Sequence, residues 1–494
     1  MPVCDHRVRM SPAATPARAA LPPGPSFPRW LQTVGFMVGG VRYLEWCRRR
    51  YGDVVTMGTL FDKRFVMLFG PQQVKELFQG SNARLHAGEA NALLGPILGE
   101  RSVLLLDGAE HLRHRRLLLP PFHGRRMLAH VQTMRECADA EIDRWPVGEP
   151  FTLLESMQAL TLRVILRAVF GYVPGAAEDE FARRLRAMVE PLSRARGLLV
   201  LNAVVRGRSQ RRAAQEFDER KRAVDEIIYA EIARRRAAPD LPERDDVFSA
   251  LLLARDEDDV ALTDREVRDE LLTLLLAGHE TTATGLAWTF DLVLHDARVR
   301  ERAQQGDDRY LDAVVKEALR IRPVIPGVGR VVREAPFPIG GYEVPVGVEI
   351  NPSIRSIHRR GDLYPNPRAF SPERFYSDDA DGRGPDTYTW IPFGGGTRRC
   401  LGASFAMTEM RVVLGRVLER AALRPADPEP AKGQFRAITI APKGGVRVRQ
   451  DRAPRPAAEG GAATPATAAT PATAATPSTA ATPADAADQR VPAA

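Results

Sequence analysis

Between Thr263 and His295 the sequence predicts one very long helix, and this feature constrains the fold more than any other. Thr263 and Glu266 have the spacing of a capping box, and a 3.6-residue apolar period continues from there. At 1.5 Å per residue the helix would be about 50 Å long, enough to cross a whole domain. The rest of the chain has to be arranged around it.

The middle of this helix carries polar groups. The segment LLTLLLAGHETT, Leu271 to Thr282, places an acid and two threonines directly after an apolar wall. Apolar residues on both sides predict burial nearly all round, where a carboxylate is costly unless it is paired or used.

Three interpretations of the polar segment compete. His279 and Glu280 could lie on a solvated stripe. A zinc helix is a second interpretation, since His-Glu begins the motif HExxH, but Ala283 stands where the second histidine belongs. We favour a third, in which the helix opens locally at Gly278, because a threonine hydroxyl competes for backbone hydrogen bonds and leaves room for water or a small ligand.

Elsewhere the pattern is mainly helical, with a few strand segments between Gly and Pro turns. It does not alternate strand and helix as a doubly wound parallel sheet would. We therefore expect a mainly α domain with a small β-sheet subdomain, covering residues 21–450. The predicted helices are Met127–Glu141, Leu154–Phe170, Phe217–Arg235 and Thr263–Ala297, and the predicted strands lie within Asp53–Leu60, Lys63–Phe69, Tyr342–Ile354 and Arg436–Val448.

The two ends of the sequence show no such periodicity. Small residues and prolines dominate residues 1–20, which predicts a flexible leader. Residues 451–494 contain the repeat AATPAT, whose side chains are too small to bury a core. We expect a disordered tail there.

Composition and charge exclude several classes of protein. Of the 494 residues, 44% are apolar and 27% are charged, and the formal charge of +8 is carried by arginine without a concentrated basic tail. This favours an acidic protein partner over nucleic acid. The four cysteines are widely spaced and form no CxxC pair, and no apolar run has membrane-spanning length. We expect a soluble, cytoplasmic monomer with reduced thiols.

Glu317 and Arg320 lie three residues apart on a short predicted helix, KEALR, that ends before Pro323. A solvated surface ion pair explains this spacing as well as a structural role does. Arg374, in the sequence PERF, offers a second arginine that would complete a buried cluster with them.

The stretch FGGGTRRCLG, Phe393 to Gly402, places Cys400 behind three glycines and two arginines. A dinucleotide loop is excluded, because a GxGxxG motif starting at Gly394 needs glycine where Arg399 stands. A cysteine nucleophile would need a base, and no histidine lies nearby in sequence. A metal thiolate fits better, since glycines allow a flat ligand close to the backbone and the following helix, Leu401 to Glu419, would lower the thiol pKa with its N-terminus.

Together these motifs resemble the signatures of the cytochrome P450 family of heme-thiolate monooxygenases. The family's heme-loop pattern FxxGxRxCxG is matched at each fixed position, by Phe393, Gly396, Arg398, Cys400 and Gly402. Glu317 and Arg320 match its ExxR pair, and Arg374 matches the third member of that cluster. Residues 277–282 match its oxygen-activating helix AGxETT. The resemblance covers the chain from Leu21 to Gln450.

The resemblance implies a cytochrome P450 fold that binds heme b, with the long helix over the heme and Cys400 as the fifth iron ligand. It implies that Glu280 feeds protons from solvent and that Thr281 hydrogen bonds to oxygen or orders water. By the same resemblance, the residues that contact heme are Ala277, Gly278, Phe393, Arg398 and Gly402.

A further helix, GAEHLRHRR from Gly108 to Arg116, resembles the family's heme-contacting helix in its bacterial form. In that comparison His111 and Arg115 would bind the heme propionates. Arg330 is placed like another propionate ligand, although an extra residue before Gly341 departs from the usual pattern. We interpret His279 and His358 as structural.

The implied activity is the insertion of one oxygen atom from O2 into a hydrophobic small molecule, by hydroxylation or epoxidation. No flavin-binding segment remains, so electrons would come from a separate ferredoxin or flavodoxin with its NAD(P)H reductase. Arg399, Arg411 and Arg416 would offer docking charge to such an acidic partner, or form a generic solvated surface. The alternative is a heme-thiolate protein that does not use O2 in this way, such as an isomerase, a peroxygenase or a heme sensor.

The substrate is indicated only by the segment Arg183–Arg212, which resembles the family's mobile lid. It holds nine arginines and one acid around the apolar stretch Leu198–Val205. A basic and apolar lid would admit amphipathic anions, or lie on lipid, and we expect a fatty acid or terpenoid substrate. An ordinary solvated helix pair with an apolar inner face explains the same residues.

Overall fold

The computed structural model describes residues 21–60, 64–122, 126–193, 211–376, 387–436 and 438–456. The predicted leader and the predicted tail after residue 456 lie outside these ranges. The compact unit extends to Arg455. The backbone N–H of Asp451 donates to Ala422 and that of Arg455 donates to Arg420, so the first residues assigned to the tail pack on the domain.

Helices make up most of the described chain, as the sequence predicts. They are α1 (Arg29–Val34), α2 (Val41–Tyr51), α3 (Pro71–Gln79), α4 (Ala87–Ala90), α5 (Gly95–Leu98), α6 (Gly108–Leu118), α7 (Arg126–Ile142), α8 (Leu153–Ala168), α9 (Ala176–Ser193), α10 (Arg211–Arg236), α11 (Val247–Leu253), α12 (Asp264–Leu294), α13 (Ala297–Ala303), α14 (Asp308–Ile321), α15 (Ile354–Ile357) and α16 (Ala403–Arg420). Short 3₁₀ turns cover Ala92–Leu94, Pro120–Phe122, Leu241–Glu243, Pro372–Phe375 and Gly396–Arg398, and a π-helical turn covers Gly35–Gly39. Among the described residues, no helix has both the length and the apolar composition needed to cross a membrane.

The strands form small sheets. They are β1 (Val54–Met57), β2 (Phe65–Leu68), β3 (Leu85–His86), β4 (Pro150–Thr152), β5 (Arg330–Val332), β6 (Phe337–Ile339), β7 (Tyr342–Val344), β8 (Glu349–Pro352), β9 (Leu423–Pro425), β10 (Gly433–Arg436), β11 (Thr439–Pro442) and β12 (Arg447–Gln450). The largest sheet has the order β1-β2-β8-β5-β3, with β2 and β8 parallel and the other pairs antiparallel. The predicted hairpin between Asp53 and Phe69 is its β1–β2 pair.

The long helix predicted from Thr263 is confirmed as α12. The Thr263 side chain accepts from the N–H of Glu266, and the Glu266 carboxylate accepts from the N–H of Thr263, which completes the capping box. Most of the helix is buried, and it packs against α8 and α16 within the main hydrophobic core. The helix that carries the polar segment therefore forms part of the centre of the domain.

Glu317, Arg320 and Arg374 form the predicted cluster, and its first two members are completely buried. The guanidinium of Arg320 donates to both carboxylate oxygens of Glu317, at 2.7 and 2.8 Å, and Arg374 Nε donates to the same carboxylate at 3.3 Å. Arg320 also donates to the carbonyl of His358 at 2.7 Å. A solvated ion pair is therefore excluded, because the pair joins α14 to the segments that precede the Cys400 loop.

His358 extends this network to the cysteine loop. Its Nδ1–H donates to the carbonyl of Arg320 at 3.2 Å, and its Nε2 accepts from the backbone N–H of Ile391 at 2.9 Å. Burial, and then the positive charge of Arg320, lower its pKa to about 3. His358 is a neutral structural residue, as the sequence predicts.

Candidate active site

Glycine conformation and close packing shape the loop that carries Cys400. The backbone N–H of Cys400 donates to the carbonyl of Phe393 at 3.0 Å. Gly396 has a φ of +65°, and a Cβ there would lie 2.1 Å from the carbonyl oxygen of Phe78. A side chain at Gly396 would thus be excluded twice, by conformation and by the backbone of α3. Gly402, by contrast, faces open space and precedes α16.

The Cys400 side chain is accessible, yet it lies in a recess surrounded by protein. Burial raises its pKa, while the backbone N–H of Gly402 and the charges of Arg115 and Arg399 act to lower it. The lowering contributions expected from the helix N-terminus and from nearby arginine are thus present. Desolvation outweighs them in the protein alone, so the net direction differs from the expectation.

Four cationic or potentially cationic side chains converge near this recess. They are His111 and Arg115 of α6, Arg330 of β5, and Arg398 of the cysteine loop. Burial and the charges of the three arginines lower the pKa of His111 to about 3. Burial also lowers the pKa of Arg330 and of Arg398 to about 10, and lowers that of Arg115. The structure thus brings together side chains that are more than 280 residues apart in sequence.

The buried polar atoms of this cluster fit a doubly anionic group such as a pair of propionates. Nδ1 of His111 and Nε of Arg398 are buried and have no hydrogen-bond partner among the described residues. Asp107 is the acid that pairs with Arg398, whose guanidinium also donates to the carbonyls of Val103 and Leu106. Asp107 and Glu349 are the two carboxylates that attract Arg330, and two carboxylates do not balance three arginines. Buried donors without acceptors are costly. With a recessed thiol beside them, the residues suit a flat, anionic iron macrocycle.

The central helix α12 is continuous through its polar segment, so the expected opening at Gly278 is not found. Gly278 faces α8, where a Cβ would lie 2.7 Å from Cδ1 of Ile165. Close packing between α8 and α12 therefore explains the glycine, and its predicted contact with heme stays a prediction. Ala277 and Thr281 lie one turn apart; Ala277 is exposed although the helix is largely buried. The Thr281 hydroxyl donates to the carbonyl of Ala277 at 2.6 Å. The threonine thus competes for a backbone carbonyl as the sequence predicts, but the helix does not break there.

Glu280 points to another side of α12. Its carboxylate accepts a hydrogen bond of 2.6 Å from Nε2 of Gln158 on α8. Both side chains line a cavity of about 670 Å3, to which His279 and Arg186 also contribute. Glu280 is thus held at the wall of a partly polar cavity, which excludes a fully solvated stripe. His279 is buried and its Nδ1–H donates to the carbonyl of Leu275 at 2.8 Å, consistent with a structural role.

Sequence reasoning missed two of these residues. Gln158 lies on an apolar helix 122 residues before Glu280, and Asp107 lies 291 residues before Arg398. Neither belongs to a motif. The sequence of α8 gives no local signal that distinguishes Gln158 from its other polar residues, such as Ser156 and Thr161.

Two of the three arginines proposed as docking charge are already paired. Arg411 forms an ion pair with Asp308, and Arg416 pairs with Asp139 and Glu419. Arg399 remains exposed beside Cys400. The expected docking surface is therefore reduced to Arg399.

The lid segment is described only in part. The apolar stretch 198–205 lies outside the described residues, and so do four of the nine lid arginines. Arg183 and Arg184 share the carboxylate of Glu180 on α9.

Comparison with known proteins identifies the class to which this fold and site belong. The family model described as cytochrome P450 matches residues 22–446, and the chain therefore belongs to the cytochrome P450 family. Its members bind heme b and act as heme monooxygenases. The mainly α fold with small sheets is confirmed by the same match.

Individual relatives support this assignment. The chain is 39% identical to a protein named as cytochrome P450 135B1 from Mycobacterium tuberculosis, over 87% of this chain and 91% of the relative. It is 38% identical to one named as cytochrome P450 135A1 from the same species, over 88% and 96%. Among solved structures, a retinoic acid-bound cyanobacterial CYP120A1 matches with a TM-score of 0.73 at 23% identity, covering 87% of this chain and 99% of the other. The heme domain of cytochrome P450DA matches with 0.75 at 24% identity, covering 88% and 98%.

Proposed function

We propose that the chain is a monooxygenase that hydroxylates or epoxidises a hydrophobic small molecule, with Cys400 as the iron ligand. The observation that carries this proposal is the recessed thiol beside a cluster of three arginines and one histidine, in which Asp107 forms an ion pair with Arg398. His111, Arg115, Arg330 and Arg398 would hold the propionates, and Phe393 and Gly402 would line the heme. Bound heme b supplies the activation of O2.

The protein contributes the position and supply of protons. Because the Thr281 O–H donates to Ala277, the lone pairs of its oxygen are left to accept a hydrogen bond, for example from water. Gln158 holds the Glu280 carboxylate at the wall of the cavity, where it exchanges protons with solvent. These two residues occupy different sides of α12, so a proton from Glu280 would reach Thr281 through bridging water molecules.

The substrate and the partners are further parts of the proposal. A fatty acid or terpenoid is supported by the basic and apolar composition of the lid. Electrons come from a ferredoxin or flavodoxin with its NAD(P)H reductase, and Arg399 offers the docking charge. We propose a monomer located in the cytoplasm, where the free thiols of Cys47 and Cys137 would stay reduced. The domain would be bounded by a leader over residues 1–20 and a tail after Arg455.

The experiment is the substitution Thr281→Ala, measured as product formed per NAD(P)H consumed with a saturating redox system. Removing the hydroxyl should lower this coupling several-fold while reductant is still consumed, because proton delivery is impaired. Thr289→Ala is a matched control, since Thr289 makes the same bond to the carbonyl four residues earlier in the same helix. Coupling that is unchanged in Thr281→Ala would favour a protein that is an isomerase, a peroxygenase or a heme sensor.

A further inference from the structure

Four arginines lie near the buried Arg320 and near one another, and we call them the arginine cluster: Arg322, Arg355, Arg359 and Arg368. Arg320 Nη1 donates to the carbonyl of His358 at 2.7 Å and to that of Pro367 at 2.9 Å. The next residues in the chain are Arg359 and Arg368. The buried Arg320 therefore brings two distant segments together, and each segment contributes an arginine at the junction.

The other two members are placed by helices. Arg355 lies in α15, and the helical turn continues to Arg359, whose N–H donates to the carbonyl of Ser356. Four residues apart, Arg355 and Arg359 lie on one face. Arg322 follows α14, and its guanidinium lies 5.0 Å from the ring centroid of Trp288. Its Nε is buried without a hydrogen-bond partner.

Within the part of the chain that the structure describes, no carboxylate forms an ion pair with the cluster. None of its four guanidinium groups donates a hydrogen bond or forms an ion pair there. Asp362, three residues beyond Arg359, is held by Arg360. Asp291 attracts Arg322 electrostatically without forming an ion pair with it, and its buried carboxylate accepts from the N–H of Ala431. The Glu317 carboxylate forms its ion pairs with Arg320 and Arg374.

Like charge without a counterion has an electrostatic cost. Burial, and then the charges of Arg355, Arg322, Arg368 and Arg320, lower the pKa of Arg359 to about 9. Burial and Arg322 also lower the pKa of Arg355. Half-buried guanidinium groups repel one another and leave donors unused. An anion would relieve both.

We propose that the arginine cluster is a binding site for a compact oxyanion, namely a phosphate group. Guanidinium groups bind phosphate oxygens in bidentate geometry, and several converging arginines suit a dianion better than a single carboxylate. Arg322, Arg355 and Arg359 are only half-exposed, which favours a small ion that can enter between them over the flat surface of an acidic protein. The phosphate can be free or part of a lipid headgroup. The site is separate from the cations around Cys400, and it does not depend on the proposed reaction.

The test uses the heme-loaded protein and inorganic phosphate, titrated by isothermal calorimetry at constant ionic strength with chloride as the balancing anion. We expect a dissociation constant of about 1 mM or tighter. Arg359→Gln should weaken binding by about tenfold or more, because it removes one charge-assisted contact and its charge. Arg355→Gln provides a second variant should the first fold poorly. Arg449→Gln, an exposed arginine on β12, is the control and should leave binding unchanged.

The outcomes distinguish a lipid headgroup from a free phosphate ion, and some of them would refute the site. Sedimentation with phosphatidic acid vesicles, lost in Arg359→Gln and prevented by free phosphate, would identify a lipid headgroup. Phosphate binding without vesicle binding would identify a free ion. No binding of either, or binding that Arg359→Gln and Arg355→Gln leave unchanged, would overturn the proposal. Loss of affinity for an acidic ferredoxin in Arg359→Gln, with no phosphate binding, would overturn it in favour of a protein-docking surface.

Discussion

Acid should weaken the link between α14 and the Cys400 loop, because His358 makes that link only as a neutral imidazole. Its Nε2 accepts from the N–H of Ile391, nine residues before Cys400, while its Nδ1–H donates to the carbonyl of Arg320. A proton on Nε2 would remove the acceptor and set two donors against each other. It would also place a charge in a fully buried position next to the Arg320 guanidinium.

The size of the effect follows from the two pKa values. In the folded chain the pKa of His358 is about 3, and in the unfolded chain it is about 6.5. The unfolded state therefore binds the proton more readily, so the contribution of His358 to the free energy of unfolding is complete above pH 6.5 and is lost as the pH falls toward 3. At about 1.4 kcal/mol per pKa unit, acidification from pH 7 to pH 5 should remove about 2 kcal/mol.

The measurement compares the wild-type protein with His358→Asn in urea unfolding, followed by tryptophan fluorescence at several pH values. A comparison is needed because Glu270 opposes the trend: burial raises its pKa to about 7, so its contribution to stability increases as the pH falls. The wild type should be more stable at pH 7, since the variant leaves the N–H of Ile391 without its acceptor. This stability difference should shrink by about 2 kcal/mol between pH 7 and pH 5. A difference that stays constant over this range would refute the reasoning.

Two further substitutions test the packing and the buried cluster. Glu317→Gln should cost about 3–5 kcal/mol in the free energy of unfolding, because it leaves the Arg320 charge buried without its carboxylate. The double variant Glu317→Leu, Arg320→Met removes both charges and should cost less. If urea unfolding shows that the double variant costs as much as the single variant or more, this account is contradicted. Gly278→Ala should cost about 1–3 kcal/mol, because its Cβ would lie 2.7 Å from Ile165. Gly285→Ala, which meets the flexible end of Met410 at 3.1 Å, should cost less in the same thermal unfolding assay, and equal costs for the two glycines would argue against the packing role of Gly278.

Features that depend on a few neighbouring residues were predictable from the sequence. The capping box of Thr263 and Glu266 and the pairing of Glu317 with Arg320 are both set by three-residue spacing, and the structure contains both. The expected opening of the long helix was wrong for a reason that local sequence does not contain. Gly278 fits a broken helix and a close helix contact equally well, and only the position of Ile165 on α8 decides between them.

Charge is the property that sequence resolves least well, because a list of arginines does not show which of them are neutralised. Arg411 and Arg416 lie in the helix that follows Cys400. Asp308, more than 100 residues before Arg411, pairs with it, and Asp139, more than 270 residues before Arg416, pairs with that arginine. Arg359 and Arg368 lie nine residues apart in sequence, yet the carbonyl contacts of Arg320 bring their segments together. Since an ion pair removes most of the attraction for a second anion, the residual potential of the surface follows the unpaired guanidinium groups and not the local arginine count. For this chain we therefore expect the anion site at the arginine cluster and not at Arg411 and Arg416.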